Sequence, residues 1–283
     1  MTLSDSSLSA LAASHDIISI GAAADDRRRA LHGARTTYVR VADVSATPGE
    51  AVEVPEAAGE VRIVGIPASS AAAVTRVREV CAAARGIPVS GYSLADLEAL
   101  AGAEQQPLRA LLESLRAAGL ELVAEAPLDR LRDARAAIEE VNIAGLALAR
   151  LVIETLPDTD VLALYRSVAD LQEAVGVIRA FAPLPRRVST TVPTTGYDDV
   201  RRVALARLAI PNVPSIQVDW ALYGPKLAQV ALTMGADDLD GVSASDAAPE
   251  GRRRAPLEEV RRNITAAALE PVERNGRSEL HSA

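Results

Sequence analysis

Short β-branched runs alternate along this chain with helical stretches whose apolar residues recur at three- and four-residue spacing. Strands are predicted over residues 36–41, 61–65, 87–91, 120–124, 146–155, 177–183, 215–220 and 239–243. Among the intervening helices, 107–118 carries an apolar stripe and stops at Gly119, a usual helix-ending residue. A second, 158–175, opens on an aspartate cap and stops at Gly176. Strands separated by helices of this length pair in parallel through right-handed crossovers. Eight of them predict an α/β fold that closes as a (βα) barrel or partial barrel. Spacing alone leaves a doubly wound open sheet as the alternative. Residues 42–60 lack periodicity and hold Pro48, Gly49, Pro55 and Gly59, so they are expected to form a loop. Residues 243–255 form another irregular insert, before a last helix from Pro256.

Composition narrows the picture. The 283 residues fit one α/β barrel domain spanning 1–283, with 1–34 as a helical lead-in and 244–283 as a helical tail. Aromatic residues make up only 2%, so the core must be built from Ala, Leu, Val and Ile. The net charge of −8 argues against a phosphate-backbone footprint, and no nucleic acid is expected as a partner. The runs Arg27-Arg28-Arg29 and Arg252-Arg253-Arg254 are expected to be solvated surface. No uncharged apolar stretch approaches the roughly 18 residues of a membrane span, and the N-terminus lacks a basic, then apolar, secretory pattern. A soluble, cytoplasmic protein with no membrane partner is expected. The single cysteine, Cys81, rules out an intrachain disulfide and sits on a helical face as a small packed residue.

One stretch is distinctive. Residues 203–242 read VALARLAIPNVPSIQVDWALYGPKLAQVALTMGADDLDGV. It resembles the C-terminal part of the radical S-adenosylmethionine enzymes of the futalosine route to menaquinone, the aminofutalosine synthase and dehypoxanthine futalosine cyclase family, and of their relatives in deazaflavin synthesis. ADDRRRALHGARTTYV at 24–39 is similar to the segment that precedes the cluster loop of those enzymes. The resemblance implies a parallel barrel and a C-x3-C-x2-C loop after the first strand. Here that loop offers Asp43, Ser45, Thr47, Glu50, Glu53 and Glu56 instead. Iron–sulfur clusters are held by soft thiolates, which these hard oxygen donors do not replace. The glycine-rich turns of the family also change, to Gly65-Ile66-Pro67-Ala68 and Ala124-Glu125-Ala126-Pro127, and polar positions of its fifth strand to Leu151-Val152-Ile153. The resemblance therefore implies a degenerate member with no cofactor: neither cluster nor S-adenosylmethionine is expected.

Candidate ligand contacts lie near predicted strand ends, where parallel barrels keep their working residues. Gln217 and Asp219 share one strand face. That face lines a pocket, or it holds a buried polar pair satisfied by its neighbours. Tyr223, Gly224 and Lys226 start the next helix, where free N–H groups favour an anion. Glu125 and Glu154 complete the set, and together with Asp219 they are the acid–base candidates. Asp237, Asp238 and Asp240 are expected to cap a turn and anchor the last strand; no metal is expected there. His32 closes the first long helix, where a positive charge suits the helix dipole. His15 and His281 lack a metal-ligand partner at helical spacing, and no nucleophile elbow or P-loop is present. The expected function is that of a radical-enzyme relative of menaquinone synthesis without cluster chemistry, a pseudoenzyme. It would bind a small-molecule intermediate of that route or pair with an active radical paralogue. The alternatives are a cluster-independent lyase or hydrolase working through the three carboxylates, and a structural subunit with no ligand.

Overall fold

In the computed structural model, residues 5–156, 160–187, 193–248 and 254–280 are described. They form, in order, α1 (Asp5–Ala13), α2 (Ile17–His32), β1 (Arg35–Ser45), β2 (Glu60–Val64), α3 (Ser70–Ala84), β3 (Val89–Ser93), α4 (Leu94–Ala103), α5 (Leu108–Ala117) and β4 (Leu122–Pro127). Then come α6 (Ala134–Ile143), β5 (Ala147–Leu148), β6 (Leu151–Ile153), α7 (Val161–Val175), β7 (Ala180–Pro185), α8 (Gly196–Ala209) and β8 (Ser215–Asp219). The chain continues through α9 (Trp220–Leu232), β9 (Asp238–Ser243), α10 (Pro256–Ala266) and β10 (Glu270–Arg274).

Neighbouring strands hydrogen-bond in the order β1-β2-β3-β4-β6-β7-β8-β9, and β9 pairs back to β1. That return pairing closes the eight parallel strands of a (βα) barrel, and the open sheet is excluded. The register brings Val41 opposite Glu60, Val61 opposite Val89, Ser90 opposite Leu122 and Gln217 opposite Asp238. Among the described residues no helix is long and apolar enough to cross a membrane.

The chain groups into two compact units. One holds residues 1–38, 152–241 and 258–272. Its core is Ile20, Val168, Phe181, Val203, Leu205, Ile216, Leu232 and Leu239, all fully buried. The only phenylalanine, Phe181 of β7, meets Tyr165 of α7 edge to face at 5.9 Å and 78°. The helices begin on short polar side chains. Asp16 accepts from the Ile18 and Ser19 amides at the start of α2, Asp160 from Leu162 at α7, and Thr195 and Asp198 form a reciprocal capping box at α8. The predicted cap of the 158–175 helix, Asp158, lies outside the described residues, and Asp160 caps the helix two residues later.

The other unit holds residues 39–151, 242–257 and 273–283. Its core is Val61, Ile63, Leu94, Leu97, Leu111, Leu112, Leu115, Val123 and Ile138. The loop from β1 to β2 is held by one buried side chain. Arg76 of α3 donates to the Ser45 carbonyl at 2.7 Å and the Glu50 carbonyl at 2.8 Å, and pairs with Glu79 at 3.0 Å. Glu79 in turn accepts from the Gly49 amide.

Four expectations are corrected. The segment 42–60 is not all loop, because β1 continues through Ala42–Ser45 by pairing with β2. The strand expected over 146–155 is two short pieces, β5 beside β4 and β6 in the barrel. The tail is not wholly helical: Glu270 donates its amide to the Ala34 carbonyl, so β10 adds to β1. Arg28 is fully buried, not solvated; it pairs with Asp25 and donates to the Gly33 carbonyl past the end of α2. Arg252 and Arg253 lie outside the described residues, and Arg254 is exposed.

Candidate functional site

In the first unit, the carboxyl ends of β6, β7 and β8 carry a set of charged groups. Arg186 and Arg187 follow the last residue of β7, and their amides donate to the carbonyls of Ile153 and Glu154. Two more ladder bonds thus carry the β6–β7 pairing past the strand ends and fix the backbone beneath both guanidinium groups. Arg186 donates to Asp219 Oδ2 at 2.5 Å, and Arg187 pairs with Glu154 at 2.7 Å.

Asp219 ends β8 and caps α9, accepting from the Leu222 amide at 2.9 Å. Gly241 of β9 lies directly against it. A β-carbon at Gly241 would come 3.0 Å from Asp219 Oδ1, and its φ of +69° suits only glycine well. Tyr223 donates its hydroxyl to the Pro185 carbonyl at 2.5 Å. Burial pushes its phenol well above the usual tyrosine range, with Asp199 adding to the effect.

The other candidates divide. Gln217 is buried and donates to Asp238 Oδ2 at 2.6 Å, and Asp238 also accepts from the Thr37 hydroxyl at 2.5 Å. Lys226 is exposed. It follows a break in α9, where Gly224 leaves helical geometry at φ 73° and ψ 168° and Pro225 restarts the helix. Glu125 of β4 belongs to the second unit, where it pairs with Arg150 at 3.2 Å. Glu125, Glu154 and Asp219 each spend an oxygen on an arginine.

Asp237 and Asp238 of GADDLDG make structural contacts. Asp237 is buried and pairs with Arg207 of α8, and it also accepts from the Ile216 amide and the Ser215 hydroxyl. Among the described residues no group of three His, Cys, Asp or Glu side chains is placed to hold a metal ion.

Comparison with known proteins places this geometry. The family model described as the CofH/MqnC C-terminal region matches residues 182–282. The aminodeoxyfutalosine synthase of Thermus thermophilus is 29% identical over 225 residues, covering 67% of this chain and 59% of that protein. The chain is thus similar to enzymes of the futalosine route over its C-terminal region, and it spans 59% of the length of the Thermus protein. A second similar protein is the 5-amino-6-(D-ribitylamino)uracil–L-tyrosine 4-hydroxyphenyl transferase of Methanosphaerula palustris. It is 26% identical over 297 residues, covering 83% of this chain and 81% of that one. Among solved structures, methylornithine synthase (PylB) superposes with a TM-score of 0.68 at 14% identity, over 96% of this chain and 94% of that one, a likeness of fold.

The sequence resemblance implies an iron–sulfur cluster on the loop after β1. The β1–β2 loop carries oxygen donors, and the one thiol of the chain lies elsewhere, on α3. Cys81 is half-buried, and burial pushes its thiol up to about 11, so it stays protonated at neutral pH. One thiol cannot supply the three thiolates that such a site needs.

Sequence reasoning missed Arg186, Arg187 and Asp199. Two adjacent arginines just past an apolar run, in a fold that works at strand ends, were the available signal. It also took His32 as a charged helix end. Its ring nitrogen donates to the Pro214 carbonyl at 3.1 Å and lies 3.6 Å from Asp237. Burial nevertheless lowers its pKa, with Asp237 opposing and Arg207 and Arg35 assisting. A folded-state pKa below the unfolded value means that the unfolded chain binds the proton more tightly. This contribution to stability is therefore full above the unfolded value, about 6.5, and is lost as pH falls through the lowered one. Thermal melts from pH 7.5 down to 5 should show a steeper fall for the native protein than for His32→Gln. Parallel curves would remove His32 from the account.

Proposed function

We propose that this protein binds a polar intermediate of the futalosine route and does not itself generate radicals. One observation carries the reading: a chain that resembles the family's C-terminal region has no cysteine in the loop after β1, where the family needs three, and only one in all 283 residues. The proposed contacts are Asp219, Tyr223 and Glu154 at the ends of β6–β8, with Lys226 beyond the break in α9. Gln217 supports them from the strand below, through Asp238. Glu125, with Arg150, is the corresponding carboxylate of the second unit. An active radical enzyme of the same route is the proposed protein partner, taking up what this chain holds.

The test has two parts. Protein reconstituted anaerobically with iron and sulfide is expected to retain neither at stoichiometric level, and stoichiometric retention defeats the reading. Thermal unfolding is then followed with aminodeoxyfutalosine and, separately, with S-adenosylmethionine. The first is expected to raise the midpoint, with about 2.7 kcal/mol of stabilisation at a hundredfold excess over the dissociation constant. The second is expected to leave it unchanged. A shift with S-adenosylmethionine alone reverses the assignment.

A further inference from the structure

One carboxylate beside this site has no structural employment for half of its acceptor capacity. Asp199 lies in the first turn of α8, next to the capping-box residue Asp198. It is 7% exposed, and one oxygen accepts from Thr194. The other, Oδ1, is buried without a hydrogen-bond partner among the described residues. A buried carboxylate oxygen left unpaired is costly, and folds rarely keep one without a use.

Its surroundings are the proposed site. Asp199, Asp219, Arg186 and Arg202 are the charged groups that act on the Tyr223 phenol, which is itself tied to the Pro185 carbonyl at the end of β7. Three groups here are already occupied, while Arg202 keeps a buried Nε donor without a hydrogen-bond partner among the described residues. Arg186 holds Asp219, Asp219 caps α9, and the Tyr223 hydroxyl has spent its proton on Pro185. Oδ1 of Asp199 is the one acceptor in this set whose partner is missing among the described residues.

We propose that Asp199 is a ligand-binding residue whose Oδ1 accepts a hydrogen bond from a hydroxyl or amino group of the polar molecule held at the ends of β7 and β8. The assignment rests on the reading that an intermediate of the route binds there, and it adds the group that selects a hydrogen-bond donor on that molecule. A capping or packing role is already covered by Thr195, Asp198 and the Thr194 contact. An acceptor that is desolvated before binding makes a stronger bond with its ligand, because little water has to be displaced at that moment.

The test is calorimetric titration of aminodeoxyfutalosine into the native protein, Asp199→Ala and Asp199→Asn, with the melting temperature of each ligand-free protein measured alongside. The alanine variant is expected to bind about tenfold to a hundredfold more weakly, the loss associated with a hydrogen bond to a charged group. Both variants are expected to melt, ligand-free, at or above the native temperature, because they remove an unpaired buried carboxylate. Native-like affinity in Asp199→Ala overturns the assignment and leaves the proposed function standing. A clear fall in the melting temperature of Asp199→Asn also overturns it, by showing that the charge holds the fold. A native protein that binds none of the compound, while the variants melt as expected, defeats the proposed ligand and this assignment with it.

Discussion

Replacing Asp237 with alanine is expected to cost about 3–5 kcal/mol of unfolding free energy, the usual penalty for stranding one member of a buried ion pair. Arg207 is fully buried, and its guanidinium donates to the Gly235 carbonyl as well as to Asp237. Without the carboxylate that positive charge has no counter-ion among its hydrogen-bond partners. The Ile216 amide and the Ser215 hydroxyl lose an acceptor at the same time. Burial opposes the charged form of both partners, raising the pKa of Asp237 and lowering that of Arg207. Their pairing is what offsets this desolvation. Urea denaturation of the native protein, Asp237→Ala, Arg207→Met and the double variant Arg207→Met/Asp237→Leu is the measurement. The double variant should lose clearly less than the sum of the single ones, because it removes both charges together. A single-variant cost below about 1 kcal/mol would mean that water already reaches the pair.

Phe181→Ala is expected to cost about 3–5 kcal/mol, the range for deleting a buried aromatic side chain. In a chain with 2% aromatic residues, the one ring contact found among the described residues is that of Phe181 with Tyr165. Tyr165 stands edge-on to it at 5.9 Å and would lose that contact. The Tyr165 hydroxyl is anchored on the Arg202 carbonyl, so the ring is not free to follow. Phe181→Leu should recover more than half of the loss by filling most of the volume. Equal costs for Ala and Leu in denaturant titrations would show that the aromatic contact, not the volume, carries the energy.

Much of the fold was legible because burial on both sides of a parallel strand leaves a dense apolar run that local sequence displays. The runs at 61–65, 87–91, 120–124 and 215–220 all became strands within three residues of their expected ends. Failures came where partners, not composition, decided. Residues 42–45 read as loop because Asp43 and Ser45 interrupt the apolar pattern, yet pairing with β2 makes them strand. β10 reads EPVER, which carries no clear period, and becomes a strand beside β1.

The site divides along the same line. The position of Asp219 at a strand end and of Tyr223 at the next helix start was readable, as was the structural role of Asp237 and Asp238 where the last strand opens. The fate of the arginines was not. Arg28 lies within a run of three and looks like surface, and only a carbonyl beyond the end of its own helix draws it inside. Arg207 on α8 finds Asp237 30 residues later, and His32 reaches a carbonyl 182 residues away.

The sequence by itself determined the strand–helix alternation, the parallel class and the absence of a three-thiolate loop. Each follows from local periodicity or from a count of side chains, and neither depends on packing. The tertiary structure alone decided barrel closure, the pairing of Glu125, Glu154 and Asp219 with arginines, and the burial of Asp199 with one oxygen unpaired among the described residues. Those are set by distances between segments far apart in the chain, and desolvation acts on a charge only once the fold has chosen its neighbours.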